Sequence, residues 1–382
     1  MTSTSGRRPV IAWLPGDGIG PEVMAAARTV LDASGFDAEY IEADVGWEFW
    51  KREGEPLPAR TLQVLRTADA ALFGAITSRP DPEAQEELEP ALRGKGFAYR
   101  SPIVRMRQEL RLNTKLVHAH SFAGNPRNHR EGIDLWVVRE NSEDLYSGIE
   151  LHPVPQELRE ALRRTSPGMK RFDDTSGYDL AIACRVVTRD GARNIARRAF
   201  ELARRQGMGT VTIVEKPNVL RETSGLMIAE ARRVAAEFPG IRLEEVNVDA
   251  MMMSLVKDPG RFGVIVSSNL FGDILSDLCA ELAGGIGLVP TANLGEKSAV
   301  FEPAHGSAPK YAGQDVANPV ATILSAAMML EWLEHPAAEA IRRAVEQVIA
   351  EGSARTRDLG GWSGTREMAE TIAGVVARER GR

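Results

Sequence analysis

The sequence is poor in cysteine and has no long apolar run. Two cysteines, Cys184 and Cys279, occur among 382 residues. Because two thiols cannot build a disulfide framework, we expect a protein of a reducing compartment. No window approaches the roughly 20 consecutive apolar residues that a membrane-spanning helix needs, and Met1–Arg8 lacks the apolar segment of a secretory signal. The sequence therefore predicts a cytoplasmic protein.

The chain also lacks an excess of positive charge. Its 47 basic residues are interspersed with 53 acidic ones, which gives a formal net charge of −6. Binding to nucleic acid or to an anionic membrane needs clustered Lys and Arg. The local clusters at 127–130 and 193–205 are more typical of solvated faces. These observations argue against a nucleic-acid or membrane partner.

The chain does contain an alternation of short apolar strands and longer helical patterns, and 43% of its residues are hydrophobic, enough for a large core. The predicted strands are Val10–Leu14, Ala70–Phe73, Asp134–Arg139, Thr210–Glu215 and Val264–Ser268, and the predicted helices are Glu22–Ser34, Ser224–Phe238 and Gly272–Ala283. This alternation is typical of an α/β fold. The Pro-, Arg- and Glu-rich stretch His152–Asp174 interrupts it, either as a protruding arm or as a surface loop.

Two aspartates stand four residues apart in an apolar setting. In a helix, Asp273 and Asp277 lie on one face with Cβ atoms about 5–6 Å apart, where like charges repel unless a cation lies between them. Carboxylate oxygens suit Mg²⁺ or Mn²⁺. A solvated acidic face is the alternative, although the neighbouring residues are apolar. Asp249, just before the apolar run Met251–Met253, is a third candidate ligand and a weak one alone.

Two loops rich in small residues differ in what they indicate. Pro15–Pro21 has glycines at 16, 18 and 20, a spacing that does not match G-x-G-x-x-G, so we reject a Rossmann motif. We predict a tight turn from strand to helix, with Pro21 in the first helical turn and Glu22 favourable to the helix dipole. The loop Glu302–Tyr311 offers backbone amides that can approach a phosphate-bearing ligand.

Charged residues follow two of the predicted strands. Arg139–Tyr146 concentrates charge at the end of a buried strand, where α/β sheets usually bind ligands. Lys216 has a similar position after Thr210–Glu215, where a lysine can act as a general base if its surroundings favour the neutral amine. A charged loop and a solvated lysine are the simpler explanations of these two features.

Together these segments resemble the isocitrate/isopropylmalate dehydrogenase family of β-decarboxylating dehydrogenases. The resemblance begins at Pro15–Glu22 and continues, in family order and spacing, through Arg107–Leu110, Arg139–Glu150, Lys216–Asn218, Asn269–Asp277, Gly284–Gly287, His305–Asn318 and Thr356–Gly361. It implies a two-domain α/β fold that is not Rossmann, with residues 1–112 and 287–382 as the large, cofactor-side domain and 113–286 as the small domain. It also implies that residues 150–180 form an arm that interlocks two subunits of a homodimer.

The resemblance further implies oxidative decarboxylation of a malate-type 2-hydroxy acid, with NAD(P)⁺ and with Mg²⁺ or Mn²⁺. Tyr146 would protonate the enol, and Lys216, contributed by the other subunit, would serve as the base or relay to it. The implied metal ligands are Asp273 and Asp277, joined by Asp249 across the dimer. The implied substrate contacts are Ser101, Arg107, Arg139 and Asn218.

The family's cofactor contacts correspond to Glu302, His305, Gly306, Ser307, Ala308, Lys310, Tyr311, Asn318 and Arg357. Lys310-Tyr311 resembles NADP-using members, because a lysine and a tyrosine hydroxyl can bind a 2′-phosphate. NAD-using members typically have an acidic and an aliphatic residue there. Arg357 lies where NADP users have another phosphate contact, although its segment otherwise resembles the NAD type. We therefore predict NADP, with NAD left open.

Two positions depart from the family pattern. Val117 stands where the family has a second arginine, ten residues after Arg107, and the candidates for the missing charge are Lys115, His118 and His120. Ile103 replaces a polar residue of isocitrate enzymes, although Arg100-Ser101 and Glu140–Tyr146 are most similar to those enzymes. The substrate is therefore isocitrate-like, with homoisocitrate or a phosphonomethylmalate-type analogue left open. The alternative to an enzyme is a regulatory subunit without catalytic activity. Such subunits usually lose the catalytic Tyr and Lys or the metal-binding Asp residues, which this sequence keeps.

Overall fold

The computed structural model describes residues 7–381, which form a ten-stranded sheet, a separate two-stranded sheet and thirteen α-helices. The strands are β1 (Val10–Gly16), β2 (Glu39–Glu42), β3 (Ala70–Ala75), β4 (Thr114–His120), β5 (Asp134–Glu140), β6 (Glu150–Leu151), β7 (Ile182–Ala183), β8 (Thr210–Glu215), β9 (Arg242–Asn247), β10 (Val264–Ser267), β11 (Pro290–Leu294) and β12 (Ala299–Pro303). The predicted α/β class is confirmed.

The helices connect these strands and cover both faces of the large sheet. They are α1 (Gly20–Ser34), α2 (Trp47–Glu53), α3 (Ala59–Thr67), α4 (Asp81–Glu86), α5 (Pro102–Glu109), α6 (Gln156–Thr165), α7 (Arg189–Arg205), α8 (Arg221–Ala235), α9 (Val248–Lys257), α10 (Asn269–Leu282), α11 (Val320–Trp332), α12 (Ala337–Glu351) and α13 (Thr365–Arg380). The five predicted strands and three predicted helices are all present. The other seven strands, β2, β4, β6, β7, β9, β11 and β12, were not predicted. In β4 and β9, charged residues interrupt the apolar pattern, and β4 also contains two histidines.

The turn between β1 and α1 has the predicted form. Gly16 and Gly18 have φ values of 72° and 58°, in the left-handed region that favours glycine. Pro21 stands in the first turn of α1, and Glu22 is the acidic residue of that turn. The predicted tight turn from strand to helix is therefore present, with glycines where the backbone is left-handed.

The large sheet has the strand order β2-β1-β3-β12-β11-β4-β5-β10-β8-β9. Strand β4 is antiparallel to both neighbours, β11 and β5, whereas β5, β10 and β8 are parallel to one another. The carboxyl ends of β5, β10 and β8 therefore lie at one edge, where β4 begins. Strands from residues 1–112 and 287–382 fill one half of the sheet and strands from 113–286 fill the other, while the domain boundaries themselves stay a prediction.

The two faces of β5 pack against different cores. Leu135 and Val137 belong to a cluster with Leu275 and Met251, which lie on α10 and α9. Trp136 belongs to the larger cluster on the opposite face. This packing places the start of α10 over the carboxyl end of β5, so the predicted metal ligands lie close to the predicted substrate arginine.

The segment that interrupts the α/β pattern has structure of its own. Strand β6 pairs with β7 in an antiparallel two-stranded sheet, and α6 lies between them. Ile149, Phe172 and Tyr178 expose large apolar side chains. These features favour the arm over a plain surface loop, and the role of the arm in joining subunits stays a prediction. Among the helices of residues 7–381, none is both long and apolar enough to cross a membrane.

Candidate active site

A tyrosine, an arginine and an aspartate meet at the carboxyl end of β5. Arg139 is nearly fully buried, with 2% of its side chain exposed, and its guanidinium pairs with Asp273. Its Nε atom also donates to Asn269 Oδ1 at 2.8 Å. Tyr146 Oη donates to the second carboxylate oxygen of Asp273 at 2.6 Å, and Arg139 lies 5.0 Å from the centre of the tyrosine ring. Three predicted site residues are thus in direct contact.

The two aspartates of α10 form a pair of hard oxygen donors. Asp273 is half-buried and Asp277 is exposed, one helical turn further on. Burial, followed by the negative charge of Asp273, raises the pKa of Asp277, and the nearby cations of Lys115 and Arg139 oppose that shift. Mg²⁺ is usually held by one or two carboxylates together with water or substrate oxygens. The donor set therefore fits a divalent cation of this kind.

A network of buried charges holds the loop that carries Tyr146. Asp144 has a φ of 68° and precedes the 3₁₀ turn that contains the tyrosine. Its carboxylate accepts a hydrogen bond from the backbone amide of Leu270 at 2.8 Å and pairs with Arg185 at 2.5 Å. Arg185 also pairs with Glu215, at the end of β8, at 2.9 Å. The network therefore fixes the tyrosine relative to the first turn of α10.

A second group of charges lies beside Arg139. Arg107, on α5, donates from Nε to Asn293 Oδ1 at 3.1 Å, and Lys115, on β4, donates to Glu302 Oε1 at 3.2 Å. Asn293 Nδ2 donates to the same Glu302 oxygen at 2.8 Å. Burial lowers the pKa of Lys115, and the charge of Glu302 opposes that shift. Lys115 is the register partner of both Arg139 and Asn293, so the three residues lie side by side across the sheet.

Strand alternation distinguishes the three candidates for the charge missing at Val117. Successive side chains of a strand point to opposite faces. Lys115 and Val117 therefore share the face of Arg139, whereas His118 and His120 point to the other face. There His118 stacks on the ring of Trp136, with centroids 4.0 Å apart. Of the three candidates, Lys115 is the one beside the other cations of the site.

Lys216 and Asp249 form a separate pair. Lys216 follows β8 and its Nζ atom donates to Asp249, which lies in the first turn of α9. This hydrogen bond lowers the pKa of Asp249, which is exposed. In the described part of the chain, no hydrogen bond or ion pair joins these two residues to Tyr146 or Asp273. Within the single chain, the predicted catalytic and metal-binding residues therefore lie in two groups, one around Asp273 and one at Lys216.

The loop after β12 packs against the turn after β1. Ile19 N donates to the carbonyl oxygen of Ser307 at 2.9 Å, and a Cβ atom on Gly18 would lie 2.1 Å from that oxygen. Burial lowers the pKa of His305. Its buried Nε2 atom has no hydrogen-bond partner among residues 7–381. An unpaired ring nitrogen in a loop of small residues fits a bound nucleotide.

The other predicted cofactor residues extend from this loop. Lys310 and Tyr311 are both exposed, and Lys310 Nζ lies 4.7 Å from the centre of the tyrosine ring. Asn318 Nδ2 donates to Asp358 Oδ2 at 2.9 Å, which brings the exposed Arg357 segment to the same region. Glu302 lies apart from this group, because its carboxylate binds Lys115 and Asn293.

Three further positions that the sequence analysis singled out contribute less to these groups of contacts. Ser101 is half-buried and stands just before α5, the helix of Arg107, whereas Asn218 is exposed in the turn after β8. Between residues 7 and 381, no side-chain hydrogen bond joins either one to the two groups. Ile103 packs against an apolar cluster that includes Met106.

Sequence reasoning missed Asn293, Arg185 and the contact of Glu302 with Lys115. The sequence contained one signal for Asn293, an amide side chain in the short run Pro290–Leu294, and the structure shows that this side chain is fully buried. Arg185 had no such signal, because it stands between the arm and α7 and finds its partners 30 and 41 residues away.

Comparison with known proteins agrees with this geometry. The sequence profile of the family described as isocitrate/isopropylmalate dehydrogenase matches residues 10–372. The isocitrate/homoisocitrate dehydrogenase of Thermus thermophilus is 40% identical over 363 residues, which are 95% of this chain and 97% of that protein. Protein DlpA of Legionella pneumophila is 38% identical over 369 residues, 96% of this chain, and the chain spans 58% of its length. The crystal structure of isocitrate dehydrogenase from Methylococcus capsulatus superimposes with a TM-score of 0.83 at 39% identity, covering 97% of this chain and 99% of that one.

Proposed function

The chain belongs to the isocitrate/isopropylmalate dehydrogenase family of oxidative decarboxylating dehydrogenases, and from that premise we propose that it acts on an isocitrate-like malate derivative. The substrate is oxidised by NADP⁺ and decarboxylated, which yields a 2-oxo acid, CO₂ and NADPH. The observation that carries this proposal is the row of Arg107, Lys115 and Arg139 beside the hydrogen-bonded pair Tyr146–Asp273.

The three cations suit a substrate with neighbouring carboxylates. Guanidinium groups bind carboxylates through two parallel hydrogen bonds, and Arg107 and Arg139 are both buried at the site. Lys115 adds a third charge on the same face of the sheet. We assign to Lys115 the place of the second family arginine, which is Val117 here.

Tyr146 is suited to deliver a proton. Burial, followed by its hydrogen bond to Asp273, raises the pKa of Tyr146, so the hydroxyl keeps its proton at neutral pH. A carbanion or enolate that forms as CO₂ leaves is basic enough to take that proton. The Arg185–Asp144 ion pair keeps the loop of the tyrosine in place during this transfer.

The side chains that line the proposed metal and nucleotide sites have the chemistry that these ligands need. Asp273 and Asp277 would hold Mg²⁺ or Mn²⁺, and the loop at His305–Tyr311 would hold the nucleotide. When bound, the cation supplies Lewis acidity to the substrate oxygens and the nicotinamide accepts hydride. Asp249 and Lys216 would complete the site from the second subunit of a homodimer.

The direct test is a substrate panel with the purified chain, Mg²⁺ or Mn²⁺, and NADP⁺ or NAD⁺. We expect reduction of NADP⁺ with isocitrate or homoisocitrate, and release of CO₂ in equal amount. A phosphonomethylmalate-type substrate and 3-isopropylmalate complete the panel, because the altered pocket leaves the distal group open. Reduction with none of these acids would contradict the proposal and favour a non-catalytic regulatory subunit.

The cofactor preference depends on two exposed residues. Replacing Lys310 by Asp and Tyr311 by Ile should weaken the use of NADP⁺ by about ten- to a hundredfold relative to NAD⁺. The reason is that each hydrogen bond to a charged phosphate is worth about 1.5–3 kcal/mol. The ratio of kcat/KM for the two cofactors measures this change. Lys297→Asp, at an exposed lysine of the β11–β12 turn, is the matched control. If the ratio is unchanged in the double variant, Lys310 and Tyr311 do not determine a preference for NADP⁺.

Lys115 offers a test of the altered pocket. Lys115→Met should raise KM for every active acid of the panel by about ten- to a hundredfold, because one carboxylate contact is lost, whereas Lys115→Arg should recover most of the affinity. Steady-state kinetics of both variants, with Lys297→Met as the control, separate a binding effect from a general loss of activity. If Lys115→Met and the unmodified enzyme have equal KM values, Lys115 does not contact the substrate, and its role is limited to the ion pair with Glu302.

A further inference from the structure

A second cluster of metal-ligating side chains lies on the sheet face opposite the candidate active site. His118 and His120 are two residues apart on β4, so both imidazoles project from one face, and Asp134 is the first residue of the neighbouring β5. The register pairs His120 with Asp134. Lys115 and Arg139 project from the other face. The cluster is therefore separate from the residues assigned to the reaction.

The three side chains converge on a common point. His118 Nε2 lies 2.7 Å from Asp134 Oδ1, and His120 Nδ1 lies 3.8 Å from the same oxygen. One ligand atom from each residue can be chosen so that all lie within 4.8 Å of one another. Bonds of about 2.0–2.2 Å to a tetrahedral ion separate its ligands by roughly 3.3–3.6 Å. Small side-chain rotations would therefore complete the coordination.

Aromatic packing holds both imidazoles. The ring of His118 stacks on Trp136 with an interplanar angle of 5°, and the ring of His120 meets Phe122 edge-on with centroids 4.9 Å apart. The side chains of His118 and His120 remain 22% and 32% exposed. The ligands are thus oriented by their neighbours and still open to an ion from solvent.

The surrounding charges favour a cation. The Asp134 carboxylate faces both imidazoles, 2.7 Å from His118 Nε2 and 3.8 Å from His120 Nδ1. Glu339 and Glu346, on α12, line the same cleft and add negative charge. Arg342, the positive residue of the cleft, is paired with a glutamate of α11. A fourth ligand would come from water or, after movement of its side chain, from one of these two glutamates.

We propose that His118, His120 and Asp134 form a binding site for a transition-metal dication of borderline softness, with Zn²⁺ as the representative ion. Two imidazoles and one carboxylate are ligands that Zn²⁺ and Co²⁺ accept readily, whereas Mg²⁺ prefers a set of oxygens. The bound ion would link β4 to β5 at the two ends of the connecting segment 121–133. This site differs from the predicted Asp273–Asp277 site in place and in donor type.

The test is a titration of the chelator-treated full chain with Co²⁺ in excess Mg²⁺, followed by visible absorption. We expect the chain to bind one equivalent of Co²⁺, and this binding should persist in Asp277→Asn. His120→Gln and Asp134→Asn should each lower the Co²⁺ affinity by tenfold or more. Zn²⁺ should displace this Co²⁺ and raise the thermal midpoint of the unmodified chain, because an ion that binds the folded state stabilises it. Neither readout depends on enzymatic activity, so the proposal stands or fails separately from the proposed function.

His129→Gln is the matched control, because this exposed histidine faces Glu281 outside the cluster. It should leave Co²⁺ affinity unchanged. If His120→Gln fails to fold, Asp134→Asn carries the test, since it keeps the size of the side chain. The proposal is overturned if no Co²⁺ binds, if binding disappears in Asp277→Asn, or if the two cluster variants bind as the unmodified chain does. The cluster would then be a hydrogen-bonded His–Asp group without a metal.

Discussion

Tyr146→Phe should lower kcat by about 10²–10⁴-fold, as expected when a general acid is removed. The variant loses the hydroxyl that donates to Asp273 at 2.6 Å but keeps the ring that Arg139 covers at 5.0 Å. The substrate arginines keep their positions, so KM should change far less than kcat. Steady-state kinetics of NADPH formation measure both quantities.

The control for this variant is Tyr178→Phe. Tyr178 lies in the arm with 79% of the residue exposed, and its hydroxyl makes no hydrogen bond to another of the described residues. We expect its kinetics to equal those of the unmodified enzyme. A kcat for Tyr146→Phe within a few-fold of the unmodified value would show that another group supplies the proton, and the acid role of Tyr146 would be withdrawn.

Lys216→Met should also lower kcat by about 10²–10⁴-fold, because Lys216 is the proposed base or its relay. Within the single chain this lysine pairs with Asp249, and no hydrogen bond joins it to Tyr146 among the described residues. Exposed apolar side chains of Met253 and Val256 on α9 and Ile274 on α10 suit an interface between copies of the chain. We therefore expect the lysine of one subunit to serve the tyrosine of the other.

A mixed dimer tests this arrangement directly. If the sites are shared, a dimer of one Tyr146→Phe subunit and one Lys216→Met subunit contains one site with both defects and one intact site. Two inactive parents should then yield a heterodimer with about half of the unmodified activity. Co-expression with two different affinity tags isolates that heterodimer for assay.

The matched control pairs Lys216→Met with a subunit that carries both substitutions. Such a dimer contains no intact site under either arrangement, so it should stay inactive. Absence of recovery in the first heterodimer, together with intact dimers by sedimentation, would place Tyr146 and Lys216 of the same chain in one site. The predicted shared active site would then be wrong.

Part of the fold follows from local patterns. The strand Thr210–Glu215 was predicted with its observed bounds, because buried parallel strands are short apolar runs bounded by polar residues. Strand β4 was missed, since Lys115, His118 and His120 interrupt its apolar pattern. Those three residues are stabilised by partners on other strands, which no local pattern contains.

The sequence by itself determined that Asp273 and Asp277 share a helix face and that Arg139 ends a buried strand, because both depend on local periodicity. The tertiary structure decided which side chains meet. Lys115 binds Glu302, 187 residues away, and His120 faces Asp134 through the register of β4 and β5. Strand order and register depend on packing across the whole sheet, and the loop 121–133 does not encode them. For that reason the sequence left open whether Lys115, His118 or His120 supplies the missing charge, and the fold placed the lysine and the two histidines on opposite faces.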